Sequence, residues 1–327
     1  MPYICNLNMK YIRLKTTDPY YNLAVEEYLL KNSDEDIFML WQNSPSVIIG
    51  KNQNAYAEVD LDYAKIRGIN VVRRITGGGA VYHDGGNVNY TFITSEEKAT
   101  SLDYSYFTRP VIDALASLGL ECKLCGRNDL EIDGKKVSGN AQFSTNGRIL
   151  HHGTLLFDAD VKEMSSVLRV DKEKLEYKAV KSHKSRVTNI SLLLDENITV
   201  DTFIDRIEAF VLETLAAEAS LPPETAEIDA LRERNAGDEW IYSDKRYLIG
   251  YSYSRRKKFP YGIVKVDVTL EGDIISGAVI SGDFFERASV QGLEDALVGK
   301  RLDEIASVDP SGYVDKMTVE DLVELIK

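Results

Sequence analysis

The chain has 327 residues, 44% of them hydrophobic, which is enough for two domains with ordinary cores. Acidic residues outnumber basic ones by 52 to 39, and the net charge of −13 argues against nucleic acid as the main partner, because a phosphate footprint needs a basic surface. Three cysteines without regular spacing argue against a disulfide framework and fit a reducing compartment.

The N-terminal region carries no membrane or export signal. No apolar run approaches the length of a membrane span, and no charged-then-apolar pattern opens the chain. Residues Met1 to Thr17 lack acids, faintly like a transit peptide, but we interpret them as a first strand. We therefore expect a soluble, cytoplasmic protein without a membrane partner, and we expect a monomer.

Helix and strand signals alternate over the next fifty residues. Asp18 as an N-cap, followed by Pro19 in the first turn, predicts a helix through Asn22 to Lys31. The elements predicted after it are strands over Ile37–Trp41 and Val47–Gly50, an irregular polar segment over Lys51–Glu58, and a short helix over Asp60–Arg67 that Gly68 ends.

A glycine-rich stretch, RRITGGGAVYHD at 73–84, lies between strands predicted at Val71-Val72 and Val88–Thr94. Three glycines in a row allow the backbone to approach a ligand, and successive N–H groups can converge on an anion. Arg73 and Arg74 add donors that suit phosphate or carboxylate. The alternative is a glycine-rich hairpin with solvated arginines. The pattern is neither a Walker loop nor a dinucleotide fingerprint.

A tight hairpin separates two lysines in the middle of the chain. Asp133-Gly134 is a strong turn signal, and Lys135 to Ser138 forms the returning strand, so Lys135 and Lys136 point to opposite faces. The other elements predicted up to residue 168 are a helix over Pro110–Leu118, strands over Leu120–Leu124, Leu130–Ile132 and Gly153–Phe157, and a helix over Asp160–Leu168. Cys122 and Cys125 form a Cys-x-x-Cys that we interpret as structural thiols, rather than a redox or zinc site.

The C-terminal half divides into a long loop, a helix and a small domain. Asp171 to Arg186 is rich in lysine and has no clear period, which is typical of a lid or a disordered loop. A helix is predicted from Val200 to Ser220, with Pro222-Pro223 as its stop. A strand pair and a capped last helix then indicate a small domain, so we predict domains at 1–248 and 249–327.

Several motifs, taken together, resemble the lipoate–protein ligases, which adenylate lipoic acid and transfer it to a lysine of a lipoyl domain. The matching segments are NLAVEEYLL at 22–30, WQNSPSVIIGKNQN at 41–54, RRITGGGAVYHDGGN at 73–87, GRNDL at 126–130, DGKKVSGNAQ at 133–142, HHGTLLFDAD at 151–160, SRVTN at 185–189 and FPYGIVKVDVTLEGDIISGAVISGDFF at 259–285. The fold that this resemblance implies is α+β, of the class II synthetase and biotin–lipoate ligase type. It has a mixed, largely antiparallel sheet with flanking helices, and a small α/β C-terminal domain.

The resemblance implies ATP, Mg²⁺ and lipoate as ligands, and lipoyl-domain proteins as acceptors, namely E2 subunits of 2-oxoacid dehydrogenases and the glycine cleavage H protein. Lys136 is the expected catalytic residue, stabilising charge on the acyl carbonyl and the α-phosphate, and the alternative is an exposed strand lysine. The implied nucleotide-binding residues are Arg74, Gly77, Gly78, Gly79, Ala80, Val81, Tyr82, Lys136, Lys181 and Arg186. The implied lipoyl-binding residues are Arg73, Thr76, His83 and His152, and the implied metal ligands are Asn128 and Asp129.

Each of these assignments has a structural alternative. Trp41, a plausible wall of an apolar slot for the dithiolane tail, and His152 are each equally consistent with ordinary core packing. Asn128 with Asp129 is equally consistent with a turn leading into a strand. Residues Trp240 to Phe259 lack the proline that the family usually carries before its small domain, and the basic run Arg255 to Lys258 is either a docking site for an acidic lipoyl domain or a solvated face.

Competing functions remain open at the level of sequence. An octanoyl or lipoyl transferase of the same fold passes the acyl group through a cysteine, yet no cysteine lies in the glycine-rich stretch or after position 125. The remaining candidates are a cysteine-independent transferase, a biotin ligase, a non-catalytic lipoate-binding protein, and a ligase that activates lipoate but needs a partner for transfer.

Overall fold

The structure is a computed structural model that describes residues 9–169, 187–242 and 250–327. Its α-helices are α1 (Pro19–Asn32), α2 (Ala55–Glu58), α3 (Leu61–Arg67), α4 (Tyr104–Ser117), α5 (Val161–Val167), α6 (Val200–Thr214), α7 (Ala226–Ala236), α8 (Asp238–Ile241), α9 (Val290–Leu297) and α10 (Val319–Ile326). Its strands are β1 (Lys10–Arg13), β2 (Ile37–Trp41), β3 (Ser46–Ile49), β4 (Asn70–Arg73), β5 (Val81–His83), β6 (Asn87–Ser95), β7 (Cys122–Cys125), β8 (Asp129–Ile132), β9 (Lys135–Thr145), β10 (Arg148–Leu156), β11 (Glu218–Ser220), β12 (Tyr253–Phe259), β13 (Gly262–Glu271) and β14 (Ile274–Gly282).

Eight of the described strands form one mixed sheet in the order β11-β1-β2-β6-β10-β9-β8-β7. Strand β1 runs parallel to β2 and β11, whereas the pairs from β2 to β7 are antiparallel. A hydrophobic core lies between this sheet and helices α4 and α6. Phe107 of α4 and Phe203 of α6 belong to this core. The predicted α+β architecture, with a largely antiparallel sheet and flanking helices, is therefore confirmed. No helix within the described ranges has the length and apolar character needed to span a bilayer.

Local signals in the sequence set the helix ends and the tight turn as expected. The Asp18 carboxylate accepts hydrogen bonds from the N–H groups of Tyr20 and Tyr21 at the start of α1. Gly68 ends α3 with φ of 65°, a conformation that glycine adopts without strain. Asp133 and Gly134 both take positive φ, 52° and 71°, as a tight turn between β8 and β9 requires.

Three predicted boundaries are wrong. Ala55–Glu58 forms one helical turn inside the segment predicted to be irregular. Helix α4 begins at Tyr104, because Asp103 caps the N–H groups of Ser105 and Tyr106. Pro110, the predicted first residue, therefore lies well inside the helix. Helix α6 ends at Thr214, and Glu218–Ser220 instead pairs with β1. A local cap decided the start of α4, and pairing with a distant strand decided the end of α6.

The C-terminal residues build a second, smaller sheet with its own core. Strands β12, β13 and β14 are antiparallel neighbours, and the inward face of β13 carries Val264, Val266 and Val268. Leu293 of α9 and Leu322 of α10 belong to the same core. Thr318 and Asp321 form the predicted capping box at the start of α10. A small α/β arrangement in this part of the chain is thus confirmed.

Contacts divide the chain into two compact units. The first consists of residues Met1–Ile48, Val59–Val72 and Val81–Gly237. The second consists of Ile49–Glu58, Arg73–Ala80 and Asp238–Lys327. The glycine-rich loop at 73–80 therefore belongs to the same unit as the C-terminal sheet, although more than 150 residues of sequence separate them.

Candidate active site

The glycine-rich loop takes its shape from Arg74. The guanidinium donates from Nε to Thr76 Oγ1 at 2.8 Å, and from Nη2 to the carbonyl oxygens of Gly77 and Gly79 at 2.7 and 2.9 Å. The Arg74 side chain is buried, and Gly78 has φ of 91°. The loop thus wraps around a permanent cation, which differs from the solvated arginine that the hairpin alternative required.

Close approaches explain why this loop needs glycine. A Cβ at Gly77 would lie 2.5 Å from the carbonyl oxygen of Phe284, and the N–H of Gly78 donates to that same oxygen at 3.1 Å. A Cβ at Gly50 would lie 2.1 Å from the carbonyl oxygen of Gly78. Any larger residue at these positions would displace backbone atoms, so the loop conformation depends on the absence of side chains.

Arg73 is fully buried and donates mainly to the backbone. Its Nε and Nη2 donate to Ile241 O at 3.1 and 2.6 Å, and Nε also donates to Trp240 O at 2.9 Å. The indole of Trp240 in turn donates to Arg73 O at 2.9 Å. Nη1 donates to the carbonyl oxygens of Gly50, Lys51 and Gln53. These contacts give Arg73 a structural role in the second unit, and its predicted contact with lipoate stays a prediction.

Lys136 lies on β9 of the first unit, directly after the tight hairpin. Its ammonium forms an ion pair with Asp129 Oδ1 at 2.7 Å, and both side chains are largely but not completely buried. The arm of Lys136 passes over Gly139, where a Cβ would lie 2.9 Å from Nζ and 3.2 Å from Cε. A carboxylate and a bare backbone position therefore fix the ammonium that we expect to be catalytic.

Asn128 and Asp129 present oxygen donors at the start of β8. The Asn128 amide donates from Nδ2 to Asn140 O at 2.6 Å, which orients its Oδ1 away from that strand. Asp129 contributes the carboxylate that contacts Lys136. Oxygen donors of this kind suit Mg²⁺, which typically takes one or two protein ligands together with substrate phosphates. The donor set fits the predicted metal, whose binding stays a prediction.

A buried polar cluster in the first unit contains His152 of β10. Its Nδ1 lies 3.2 Å from both carboxylate oxygens of Glu26. Glu26 also accepts from Thr91 Oγ1 at 2.5 Å, and Thr91 accepts from the Trp41 indole at 2.9 Å. The carboxylate fixes the orientation of the imidazole, and the cluster joins it to the tryptophan that we expected near the lipoyl tail.

The last residues of the glycine-rich stretch form β5. Val81 and Tyr82 pair with Ile48 and Val47 of β3, and the His83 ring meets the Trp41 ring edge-on with centroids 6.3 Å apart. Burial, with the nearby Asp84, raises the pKa of Tyr82 to about 12, so its phenol keeps its proton at neutral pH. His83, Trp41 and His152 are thereby brought into one region of the first unit.

Two predicted residues, Lys181 and Arg186, lie outside the described residues, as does the rest of the lysine-rich segment. The described chain resumes at Val187, which forms a parallel bridge with Lys136, and the N–H of Thr188 donates to Lys136 O at 3.0 Å. The predicted lid is therefore followed by residues that contact the strand of the predicted catalytic lysine.

The basic run Arg255 to Lys258 lies on β12 of the second unit. Lys257 forms an ion pair with the Glu324 carboxylate, and Arg255 donates to the Glu324 carbonyl oxygen. These two cations are thus used within this unit, which favours the structural interpretation, while docking of an acidic partner stays a prediction.

Several residues of these clusters were not predicted from the sequence. Gly139 sits inside a strand pattern, and an isolated glycine in a strand often marks a close approach. Glu26 is an acid on the buried face of α1, and Gly50 follows a buried strand. The sequence offered a weak signal for each of these three residues, but only the three-dimensional contacts identify the atoms that approach them.

Two family profiles match the chain. The one described as the lipoyl protein ligase A/B catalytic domain matches residues 18–211, and the one described as the bacterial lipoate protein ligase C-terminus matches residues 249–326. The lipoate-protein ligase LplJ of Bacillus subtilis is 39% identical over 94% of this chain and 97% of its own length.

Solved structures are also similar to this chain. LipL1 of P. falciparum, solved in complex with lipoate, matches 97% of this chain and 99% of its own with a TM-score of 0.82, and at 23% identity it shows the fold. A lipoate-protein ligase A bound with ATP matches 72% of this chain and 98% of its own, at 28% identity and a TM-score of 0.59.

Proposed function

The chain belongs to the lipoate–protein ligase family, and from that membership we propose a two-step reaction for it. In the first step a carboxylate oxygen of lipoate attacks the α-phosphorus of ATP, so that lipoyl-AMP forms and pyrophosphate leaves. In the second step the ε-amine of an acceptor lysine attacks the lipoyl carbonyl, an amide forms, AMP leaves, and the amine loses a proton to solvent. The acceptors are lipoyl-domain proteins, namely E2 subunits of 2-oxoacid dehydrogenases and the glycine cleavage H protein.

The observation that carries this proposal is the fixed position of the Lys136 ammonium. Both steps develop negative charge on oxygen, at the α-phosphate in the first and at the acyl carbonyl in the second. A cation held by Asp129 and by the bare backbone of Gly139 loses little free energy to reorganisation when that charge appears. Removing a fixed donor of this kind typically lowers kcat by about 10²–10³-fold.

The glycine loop and the metal donors supply the nucleotide contacts in this proposal. Arg74 and the segment 77–82 contact the adenylate, and Lys181 and Arg186 contribute cations from the lysine-rich segment. Asn128 and Asp129 would hold Mg²⁺, which neutralises charge on the phosphate oxygens when it is bound. Support for ATP comes from the solved lipoate-protein ligase A, which holds that nucleotide.

The lipoyl group is proposed to contact Arg73, Thr76, His83 and His152. Support comes from the buried Glu26–His152 pair beside Trp41. Residues 249–327 form the proposed accessory domain, in line with the second family profile. We place the protein in the cytoplasm and expect a monomer.

The rival that needs a thiol relay finds little support in the described cysteines. Cys122 belongs to the hydrophobic core, and burial raises its pKa to about 12, so it is not a thiolate at neutral pH. Burial likewise raises the pKa of Cys125. A ligase that activates lipoate but needs a partner for transfer remains the second candidate, because Trp240 to Phe259 departs from the family pattern.

Two assays on the purified protein test these candidates. The ligase predicts lipoate-dependent exchange between ATP and pyrophosphate, followed by the gain of one lipoyl mass on an added lipoyl domain. Exchange without mass gain indicates the activation-only enzyme, and mass gain from octanoyl or lipoyl donors without nucleotide indicates a transferase.

Neighbouring lysines provide a matched pair of variants. Lys136→Ala is expected to lower both rates by about 10²-fold or more, since it removes the fixed cation. Lys135→Ala removes an exposed lysine on the opposite face of β9 and should leave both rates unchanged. Equal rates for the two variants would refute the role of Lys136.

A further inference from the structure

Asn140 of β9 is joined to Asn128 by three hydrogen bonds. The Asn140 N–H donates to Asn128 O at 2.9 Å, its side-chain Nδ2 donates to the same oxygen at 3.0 Å, and Asn128 Nδ2 returns a bond to Asn140 O at 2.6 Å. The next residue, Asp129, holds the Lys136 ammonium. The side chain of Asn140 therefore acts on the turn that carries both proposed metal ligands.

The direction of these bonds is set by a chain that begins at a backbone N–H. Leu102 N–H donates to Gln142 Oε1 at 2.6 Å, and an N–H group can only donate. The other atom of that amide, Nε2, lies 2.9 Å from His151 Nδ1, so Nδ1 accepts. A neutral imidazole then carries its proton on Nε2, which lies 3.1 Å from Asn140 Oδ1 and donates to it. Asn140 Nδ2 is left to face Asn128.

Burial keeps this chain in one state. His151 and Tyr90 are buried, and the His151 ring stacks on Phe107 with centroids 4.9 Å apart and an angle of 9°. Burial holds the pKa of His151 well below its ordinary range, and the electrostatic influence of the adjacent His152 acts in the same direction, so the ring is neutral. The Tyr90 hydroxyl also donates to Asn140 Oδ1, a second bond that opposes rotation of the amide.

A reversed amide would be costly here. It would place Asn140 Oδ1 against the carbonyl oxygen of Asn128, and Nδ2 against the Nε2–H donor of His151. Buried polar groups that face like partners lose their hydrogen bonds, which disfavours the reversed amide. The bare α-carbon of Gly153 gives the amide its space, because a Cβ there would lie 2.2 Å from Asn140 Oδ1.

We propose that Asn140 is a positioning residue for the activation step, and that the directed chain Leu102–Gln142–His151–Asn140 fixes the turn bearing Asn128 and Asp129. The proposal rests on the function proposed above. It predicts that disturbing Asn140 changes the response to Mg²⁺ and the rate of lipoyl-AMP formation, while lipoate binding without nucleotide is preserved.

The main test is Asn140→Asp, which keeps the size and the acceptor oxygen but replaces the donor that faces Asn128 with a second oxygen. We expect the lipoate-dependent exchange rate to fall about tenfold or more, since sub-ångström displacements of catalytic groups have effects of this order. The Mg²⁺ concentration for half-maximal exchange should rise, and the Kd for lipoate by calorimetry should stay within about twofold.

Asn146→Asp is the matched control, because it makes the same exchange at an exposed turn residue of the β9–β10 hairpin. It should leave the exchange rate and the Mg²⁺ response unchanged. A folded Asn140→Asp protein with wild-type rates and Mg²⁺ response would overturn the proposal, as would an equal loss of lipoate affinity, which would indicate general damage.

A spectroscopic test needs no active variant. The chain has four histidines, so long-range ¹H–¹⁵N spectra of the labelled wild-type protein resolve their tautomers, with His151→Gln assigning the signal. We expect His151 as the neutral Nε2–H form at pH 7. The Nδ1–H form would overturn the directed chain. If the wild-type protein showed no lipoate-dependent exchange, the proposed function would fail, whereas the tautomer result would still stand or fall by itself.

Discussion

Gly139→Ala tests how the protein fixes the Lys136 ammonium, which we propose to be catalytic. The added Cβ would lie 2.9 Å from Lys136 Nζ and 3.2 Å from Cε. Ordinary contacts between such atoms are about 3.5–4.0 Å, so the ammonium must move by about 0.5–1 Å. The atoms that the new Cβ would meet belong to the far end of a flexible side chain and not to the backbone. We therefore expect the lysine side chain to move while the strand keeps its position.

The expected result is a loss of rate with little loss of stability. A displacement of about 1 Å can cost about 10²-fold in rate, and we expect kcat/KM for lipoyl-AMP formation to fall about 10- to 100-fold. That fall corresponds to about 1.4–2.7 kcal/mol of transition-state free energy. Gly139 has no left-handed φ, and alanine in a strand is favoured over glycine by about 0.5–1 kcal/mol, which offsets weakening of the part-exposed Lys136–Asp129 pair.

The assay is lipoate-dependent exchange of pyrophosphate into ATP, with chemical denaturation measured on the same samples. Gly277→Ala is the matched control, because Gly277 also lies in a strand and a Cβ there meets Thr269 at an ordinary 3.7 Å. A wild-type rate for Gly139→Ala, or a loss of rate only in proportion to unfolding, would contradict this prediction.

Gly153→Ala should lower the free energy of unfolding by about 3 kcal/mol or more, because its Cβ would lie 2.2 Å from Asn140 Oδ1 in a buried region; a denaturation midpoint equal to wild type would contradict this. Burial raises the pKa of Glu27, but hydrogen bonds from Arg234 and Lys31 outweigh it and hold that pKa below its ordinary value of 4.5. The ion pairs of Glu27 with Arg234 and Lys31 therefore stabilise the fold above the ordinary pKa, and this stabilisation is lost as the pH falls through the lower native pKa. Glu27→Gln should therefore flatten the pH dependence of acid denaturation. An unchanged acid profile would argue against a stabilising role for these ion pairs. Cys122→Ala should keep full transfer activity in the intact-mass assay, whereas its loss without unfolding would revive the thiol relay.

Sequence patterns predicted local structure well where one short-range interaction decides it. Asp18 predicts the start of α1 because its carboxylate caps N–H groups two and three residues on. The Asp133-Gly134 turn placed Lys136 on a returning strand, as the structure confirms. The end of α6 was predicted too late because a pairing with β1, some 200 residues away in sequence, takes the segment Glu218–Ser220.

The residues of the candidate site also fall into a predicted group and a group that was not predicted. Lys136, Asp129 and the glycine-rich stretch were predicted from their chemistry together with the family resemblance, and their roles stay predictions. Glu26, Gly139 and Asn140 were not, because nothing local distinguishes a buried acid, a strand glycine or a strand asparagine from ordinary ones. Their roles depend on the partners Thr91, Lys136 and Asn128.

Short-range patterns and residue identity were enough to predict the periodic elements, the turn that carries the proposed catalytic lysine, and the family, because these depend on residues close together in the chain. Other contacts appear only in the folded chain: Arg73 donates to the carbonyls of Trp240 and Ile241, and the N–H of Gly78 donates to the carbonyl oxygen of Phe284. Hydrogen-bond partners of buried groups are chosen by which backbone atoms the completed fold brings within about 3 Å, and local sequence does not encode that choice.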